Sequence, residues 1–368
     1  MQKFLVIQTA FIGDVVLATA LLEKLHACYP DAHLDFLVRK GNEALLAGHP
    51  YLHETLVWDK KQNKLRNLWR MTRRIRREKY EKVINVQRFA ATGILTAFSG
   101  AKETIGFDKN PLSRFFTRRI PHVISAPVEP GRIPQGPAVH EVERNPALIA
   151  AFTDDRPARP RLYPTAADVQ KVAGYKDRPY ITISPASVWF TKQYPAEQWA
   201  SFIRALSAVD AGGRLTAQIA AASGAGTSVM RDAVPLTVYL LGAPGDRRLG
   251  DGIMTMAATG NIVNLAGELS FLQSAALMQG AVMNYVNDSA PMHFASALNA
   301  PVTAVYCSTI PGFGFGPLSD NSHVVGIEAP LSCRPCGLHG YKACPQGHFN
   351  CARKIGDRQL LQTLPGIL

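Results

Sequence analysis

The chain has 368 residues, 47% of them hydrophobic and 18% charged, with 40 Lys+Arg against 28 Asp+Glu for a net charge of +12. That balance excludes a disordered tail protein, a collagen-like chain and a disulfide mini-scaffold, and the length asks for two domains rather than one core. Six cysteines are too few for a disulfide framework in a chain this long, so reduced thiols or a metal site are expected, and the excess of positive charge asks for an acidic partner.

The opening MQKFLVIQTAFIGD is too short and too polar at Gln8 for a signal peptide. It predicts a buried strand at Phe4–Ile7, a short loop, a helix from about Asp14 to Cys28 and a second strand at His33–Val38, the start of a parallel sheet. A long basic helix follows, then a strand at Lys82–Asn85. Between Lys60 and Lys82 stand eleven Lys/Arg and two Glu, so one helix and its flanks carry +9 of the +12. Leu65, Leu68, Trp69, Met71 and Ile75 interleave with these charges, giving a basic amphipathic helix. Such a helix is either a solvated outer face or a contact with anionic lipid or a phosphorylated substrate, and no nucleic-acid motif accompanies it.

Residues 127–164 are rich in Pro and charge and read as a linker with a connecting helix near Glu141–Phe152. A second alternating series then begins. Strands are expected at Tyr180–Ser184, Thr237–Leu241, Ile262–Asn264, Ala281–Val286 and Val302–Tyr306, with helices at Ala196–Ser207, Asp246–Ala258, Leu269–Met278 and Ala290–Leu298. The uncharged stretch Ser289–Ser319 is cut by Pro291, Pro301, Pro311 and Pro317, so it reads as core elements and not as a membrane span. The Ala/Gly/Ser/Thr-rich segment 210–235 reads as a surface excursion without an assigned role. The fold class is therefore α/β, with two Rossmann-like doubly wound domains expected to face across a cleft: 1–165, 166–350, and a closing helix in 351–368 that could pack back on the first domain.

Three places carry candidate chemistry. Asp14, at the end of the first strand, either caps its helix or acts as a reacting carboxylate; FIGDVV has too few glycines for a dinucleotide fingerprint. Lys192 enters a helix after the strand ending at Ser184 and is either an exposed lysine or a phosphate contact. Asp288, Ser289 and His293 lie where a buried strand gives way to a helix opened by Pro291, whose free N–H groups favour a diphosphate. Asp246 follows the Gly242–Gly245 loop, either accepting from ribose hydroxyls or capping the next helix. Near the end, Cys333, Cys336, Cys344 and Cys351 cluster with His339 and His348; the first pair has metal-ligand spacing, but the second lacks the repeat of a regular zinc site.

These segments together resemble the ADP-heptose:lipopolysaccharide heptosyltransferases, GT-B enzymes of glycosyltransferase family 9. The resemblance rests on LVIQTAFIGDVVLATALL, INVQR ending at Arg88, IGFD at Ile105–Asp108, HEVERN at His140–Asn145, Lys192-x-Tyr-Pro, LLGAPGD at Leu240–Asp246, NLAGELS at Asn264–Ser270 and NDSAPMHFASAL, and runs nearly end to end. It implies an inverting transfer of L-glycero-D-manno-heptose from ADP-heptose to the lipopolysaccharide inner core, with no required cofactor and no catalytic metal. The Cys-rich tail is similar to heptosyltransferase II-like members. The resemblance makes Asp14 the general base, and Lys192, Asp246, Asp288, Ser289 and His293 the donor-binding set. For the acceptor and the inner-membrane surface, Arg73, Arg74, Arg76, Arg77 and Arg88 are expected, with a cytoplasmic, membrane-peripheral location and no nucleic-acid partner. Ser184-Pro185-Ala186-Ser187 departs from the family's Gly-containing loop. The alternatives are a related transferase using another nucleotide sugar or adding the first heptose, and a noncatalytic basic anionic-polymer-binding protein with a zinc-bound tail.

Overall fold

A computed structural model describes residues 2–123, 139–154, 156–210, 215 and 236–365. The expected 210–235 excursion, apart from Asp210 and Leu215, therefore lies outside the described residues, as does much of the 127–164 linker. The described residues up to Thr165 form one compact unit and those from Ala166 onward a second.

The first unit is built on β1 (Lys3–Ile7), β2 (His33–Arg39), β3 (Leu52–Trp58), β4 (Lys82–Asn85), β5 (Glu103–Phe107) and β6 (Arg118–Ile120). Its six-stranded sheet has the order β3-β2-β1-β4-β5-β6 with every pairing parallel. Central strands of such a sheet are covered on both faces, which is why FLVI and VIN read as unbroken apolar runs. Helix α1 (Ile12–Cys28) follows β1 and buries residues around most of its circumference, including Val15, Val16, Leu17, Leu21 and Leu25. Helix α2 (Lys64–Glu78) crosses from β3 to β4 and turns Leu68, Met71, Thr72 and Ile75 inward at helical spacing. Leu68, Met71 and Ile75 join Leu5, Ile7, Leu37, Leu56, Trp58, Tyr80, Val83 and Leu95 in one core. Helix α3 (Ala90–Ala97) follows β4. The single helix expected over 141–152 is broken: helix α4 (Glu141–Arg144) gives way to 3₁₀ turns at Asn145–Leu148 and Ala150–Phe152, because Pro146 cannot continue the α-helical hydrogen bonding.

The second unit repeats the plan with β7 (Tyr180–Ser184), β8 (Thr237–Leu240), β9 (Ile262–Asn264), β10 (Met283–Asn287), β11 (Val302–Tyr306) and β12 (Ser322–Gly326). The order is β12-β11-β10-β7-β8-β9, again all parallel. Each sheet therefore reverses its strand order once, between β1 and β4 in the first and between β7 and β10 in the second. Those reversals open the crevices in which doubly wound sheets bind ligands. Across the second reversal the buried Asn284 accepts from Thr182 Oγ1 at 2.6 Å and donates to the Met278 and Pro301 carbonyls at 2.9 and 2.8 Å.

The closing segment differs from expectation. It forms two short helices, Asn350–Arg353 and Asp357–Leu361. Cys351, Ala352, Ile355, Leu360 and Leu364 belong to the second unit's own core, and the Tyr194 and Tyr285 hydroxyls donate to the Ile355 and Leu360 carbonyls at 3.0 Å each.

Candidate active site

In the first unit the candidate groups gather at the carboxyl edge of the sheet. Asp14 lies in the first turn of α1, past the N-cap Phe11, whose side chain makes no capping bond. The carboxyl is partly exposed but surrounded closely enough that burial, and then the like charge of Glu141, push it from 3.8 up to about 6. The N–H groups of Phe11 and of Asp14 itself and the Arg39 cation oppose that rise without cancelling it. Glu141 and Arg144 form a buried ion pair on α4, and Arg144 also donates to the Val139 carbonyl at 3.0 Å. Burial raises Glu141 as well, while Arg144 and the exposed Arg88 beyond β4 pull it down. His122 is held down to about 4 by burial and then by the cations Arg88 and Arg144. A carboxylate poised near neutrality amid fixed cations is what general-base chemistry requires.

Lys60, just past β3, was not singled out as a site residue, and it belongs to this edge. Its Nζ donates to Thr9 Oγ1 at 2.6 Å and to the Thr9 carbonyl at 3.1 Å, and sits 4.8 Å from the centre of the Trp58 ring. Burial and the neighbouring Arg39 push its ammonium down to about 8. Thr9 Oγ1 in turn donates to Gln87 Oε1 at 2.8 Å, tying the loop after β1 to the loop after β4 across the strand-order reversal. The sequence held a signal for part of this, since Gln87 and Glu141 fall within the INVQR and HEVERN segments. Lys60 and Arg39 carried none beyond their charge.

The basic helix stands elsewhere. α2 runs antiparallel to the strands, so its later residues approach the amino edge of the sheet: Glu78 pairs with Lys3 at 3.1 Å, at the start of β1, and Arg74 pairs with Glu54 near the start of β3. Of the five arginines expected at the acceptor, only Arg88 is brought near Asp14's surroundings. Arg73, Arg74, Arg76 and Arg77 are exposed toward the other end of a helix about 22 Å long. Leu65 and Trp69 are exposed on the same helix, at 75% and 59%.

In the second unit Lys192 and Asp288 follow β7 and β10, the two strands that flank the reversal. Their side chains meet, Nζ to Oδ2 at 2.7 Å, and Thr309 Oγ1 donates to the same Oδ2 at 2.6 Å. Ser289 is the N-cap of the helix Ala290–Ala297, and its Oγ donates to the Asn287 carbonyl at 3.3 Å instead of capping. His293, one turn on, is 5% exposed and lies edge to face with Phe315 at 6.4 Å. Asp246, beyond β8, accepts from the Ala243 N–H at 2.8 Å, a capping contact.

The cysteines correct the zinc expectation. Cys333 Sγ lies 3.8 Å from His348 Nε2, Cys336 Sγ points to the Cys333 carbonyl at 3.2 Å, and Cys351 is packed into the core. All six thiols are free, and among the described residues no group of three or more His, Cys, Asp or Glu side chains is placed to hold a metal ion.

The model of glycosyltransferase family 9 (heptosyltransferase) matches residues 68–221 and 229–340. The chain belongs to that family. Lipopolysaccharide heptosyltransferase 1 of Pseudomonas aeruginosa is 24% identical over 382 residues, covering 99% of this chain and 93% of that protein. Lipopolysaccharide heptosyltransferase 2 of Escherichia coli K12 is 23% identical over 388 residues, covering 100% and 99%. The solved E. coli ADP-heptose lipopolysaccharide heptosyltransferase II superposes with a TM-score of 0.73 at 20% identity, over 100% of this chain and 98% of that one. The fold is thus GT-B, and the protein is a glycosyltransferase of the heptosyltransferase family. Family membership overturns the noncatalytic polymer-binding alternative.

Proposed function

We propose that this family-9 transferase moves L-glycero-D-manno-heptose from ADP-heptose to the inner core of lipopolysaccharide with inversion at the anomeric carbon. The observation that carries the proposal is the Asp14 carboxyl, partly buried at the first strand-order reversal and pushed up to about 6. In the proposed step Asp14 takes the proton of the acceptor hydroxyl as that oxygen forms its bond to the anomeric carbon. The bond from that carbon to the diphosphate oxygen breaks, and ADP departs with the electron pair. One displacement with one base gives inversion.

Lys192 supplies positive charge to the departing diphosphate, held in place by Asp288; Asp246, Ser289 and His293 line the rest of the donor crevice. Arg88, Lys60 and Arg39 supply cations beside Asp14 for the anionic groups of the acceptor. No cofactor enters this scheme. The exposed Arg73, Arg74, Arg76 and Arg77, with Leu65 and Trp69, suit the interface of an anionic bilayer rather than nucleic acid, giving a peripheral enzyme on the cytoplasmic face of the inner membrane. No helix among the described residues is long and apolar enough to cross a membrane.

Addition of the second heptose is the reading favoured by the Cys-rich tail. Near-equal identity to heptosyltransferases 1 and 2 keeps addition of the first as a second reading. The test is turnover of ADP-heptose on two acceptors, one lacking all heptose and one carrying a single heptose. Turnover on the second alone supports the reading, turnover on the first alone reassigns the step, and turnover of another nucleotide sugar in preference to ADP-heptose rejects the donor.

A further inference from the structure

The Cys-rich segment has no part in the scheme above, yet it is bonded to the donor crevice at several points. Arg334 donates from Nε to the Cys307 carbonyl at 2.7 Å and from Nη2 to the carbonyls of Tyr306 and Thr309 at 3.0 Å each. These carbonyls straddle the turn that leaves β11. The last of them belongs to Thr309, whose hydroxyl donates to Asp288. Room for the guanidinium comes from Gly326: a Cβ there would stand 3.0 Å from Arg334 Nη2. A second line of bonds reaches Lys192. The Tyr341 N–H donates to Thr191 Oγ1 at 2.7 Å, the Thr191 N–H returns to the Tyr341 carbonyl at 3.1 Å, and Ser308 Oγ donates to Thr191 Oγ1 at 3.1 Å. The Cys336 N–H closes the lattice on the Ser308 carbonyl at 2.9 Å. Thr191, Ser308 and Thr309 are all but fully buried, so their polar groups depend on protein partners such as these. Gly340, at φ +75°, lies against the lysine stem, where an added Cβ would be 2.9 Å from Lys192 Cγ.

We propose that the strap from Leu331 to Tyr341, through Arg334 and Gly340, positions the Lys192–Asp288 pair to receive the donor's diphosphate. Arg334 is a positioning residue: it touches three backbone carbonyls and acts on the diphosphate only through the turn that carries Thr309 and thereby Asp288. A planar guanidinium can serve three carbonyls at once, whereas a lysine ammonium in its place is a point charge that cannot span them. The proposal rests on the reading of Lys192 and Asp288 as the diphosphate site.

The test is ADP affinity by titration calorimetry, with donor and acceptor KM measured separately, for Lys192→Ala, Arg334→Lys, Gly340→Ala and the exposed control Lys342→Ala. Circular dichroism and thermal melting confirm that each is folded. Lys192→Ala should lose ADP affinity, which sustains the donor reading. Arg334→Lys and Gly340→Ala should each weaken ADP binding about tenfold and raise the donor KM, with acceptor KM and the Lys342→Ala control unchanged. Gly340→Ala removes no hydrogen bond, so it keeps the proposal open to refutation should Arg334→Lys fold poorly. Wild-type ADP affinity in Lys192→Ala overturns the donor reading and the proposal together. Lost affinity in Lys192→Ala with wild-type affinity in Gly340→Ala and in any folded Arg334→Lys overturns the strap alone. Equal rises in donor and acceptor KM would likewise overturn it, because a general loss of structure does not favour one substrate.

Discussion

Replacing Glu141 by Gln tests how Asp14 is tuned. The substitution keeps the shape of the side chain and removes a charge that raises Asp14, second only to burial among the causes. A base that works as the carboxylate gives an acidic limb in kcat/KM whose midpoint is its value in the free enzyme, so the wild-type limb should lie at about 6. In Glu141→Gln the midpoint must fall, and Arg144, no longer neutralised by its partner, adds to the fall. Burial, the largest cause, remains and opposes that fall. The plateau rate should fall modestly, since a less basic carboxylate is a weaker proton acceptor. The assay is initial-rate ADP release across the acid range at subsaturating acceptor, with ADP affinity followed in parallel to separate donor effects. A limb that stays at the wild-type midpoint, or moves upward, would refute the coupling of Glu141 to Asp14.

Three further outcomes follow from the same geometry. Asp14's carboxyl titrates higher in the folded chain than its ordinary 3.8, so its ionisation opposes folding: the penalty is full above about pH 6 and vanishes as the pH falls through 3.8. Asp14→Asn should therefore raise the free energy of unfolding at mildly alkaline pH, by up to roughly 3 kcal/mol before discounting for partial exposure, and the melting temperature with it, and the gain should disappear in acid; a constant difference across that range would count against a strained carboxylate. Lys60, held down to about 8, should give acceptor KM a rise on the alkaline side. Lys60→Arg should move that rise to higher pH without altering ADP affinity, and an unmoved rise would remove Lys60 from the acceptor reading. Charge reversal at Arg73, Arg74, Arg76 and Arg77 should weaken sedimentation with anionic vesicles and leave turnover on a detergent-dispersed acceptor near wild type; binding that is unchanged and insensitive to salt would exclude α2 as the membrane contact.

The alternating architecture was legible because its central strands are covered on both faces and so appear as unbroken apolar runs. The edges were not. β3 carries His53 and Glu54 and reads as polar loop, β5 and β6 are short and contain Lys/Arg or Gly neighbours, and β12 ends an irregular stretch. Missing β3 had a consequence for the site, since the strand delivers Lys60 to the edge where Thr9 and Asp14 lie. The positions of Asp14, Lys192 and Asp288 at the carboxyl edges of the sheets were legible because each follows a recognisable strand. Glu141, Arg39 and Lys60 reach the first crevice from separate places in the chain, and only the folded sheet brings them together. The basic helix shows the opposite case: its charge was plain, but which end of the sheet its arginines occupy depends on the direction of the crossover. The cysteine spacing suggested a metal site, whereas two residues between the cysteines make the contacts of note: Arg334 holds the turn that carries Thr309, and Gly340 lies against the stem of Lys192.

The most direct test of the whole account is turnover of ADP-heptose by Asp14→Asn, with ADP affinity measured on the same protein. Removing the general base while leaving the second unit intact should lower kcat by about 10²–10⁴-fold and leave ADP binding unchanged. Near wild-type turnover in a folded Asp14→Asn would contradict it.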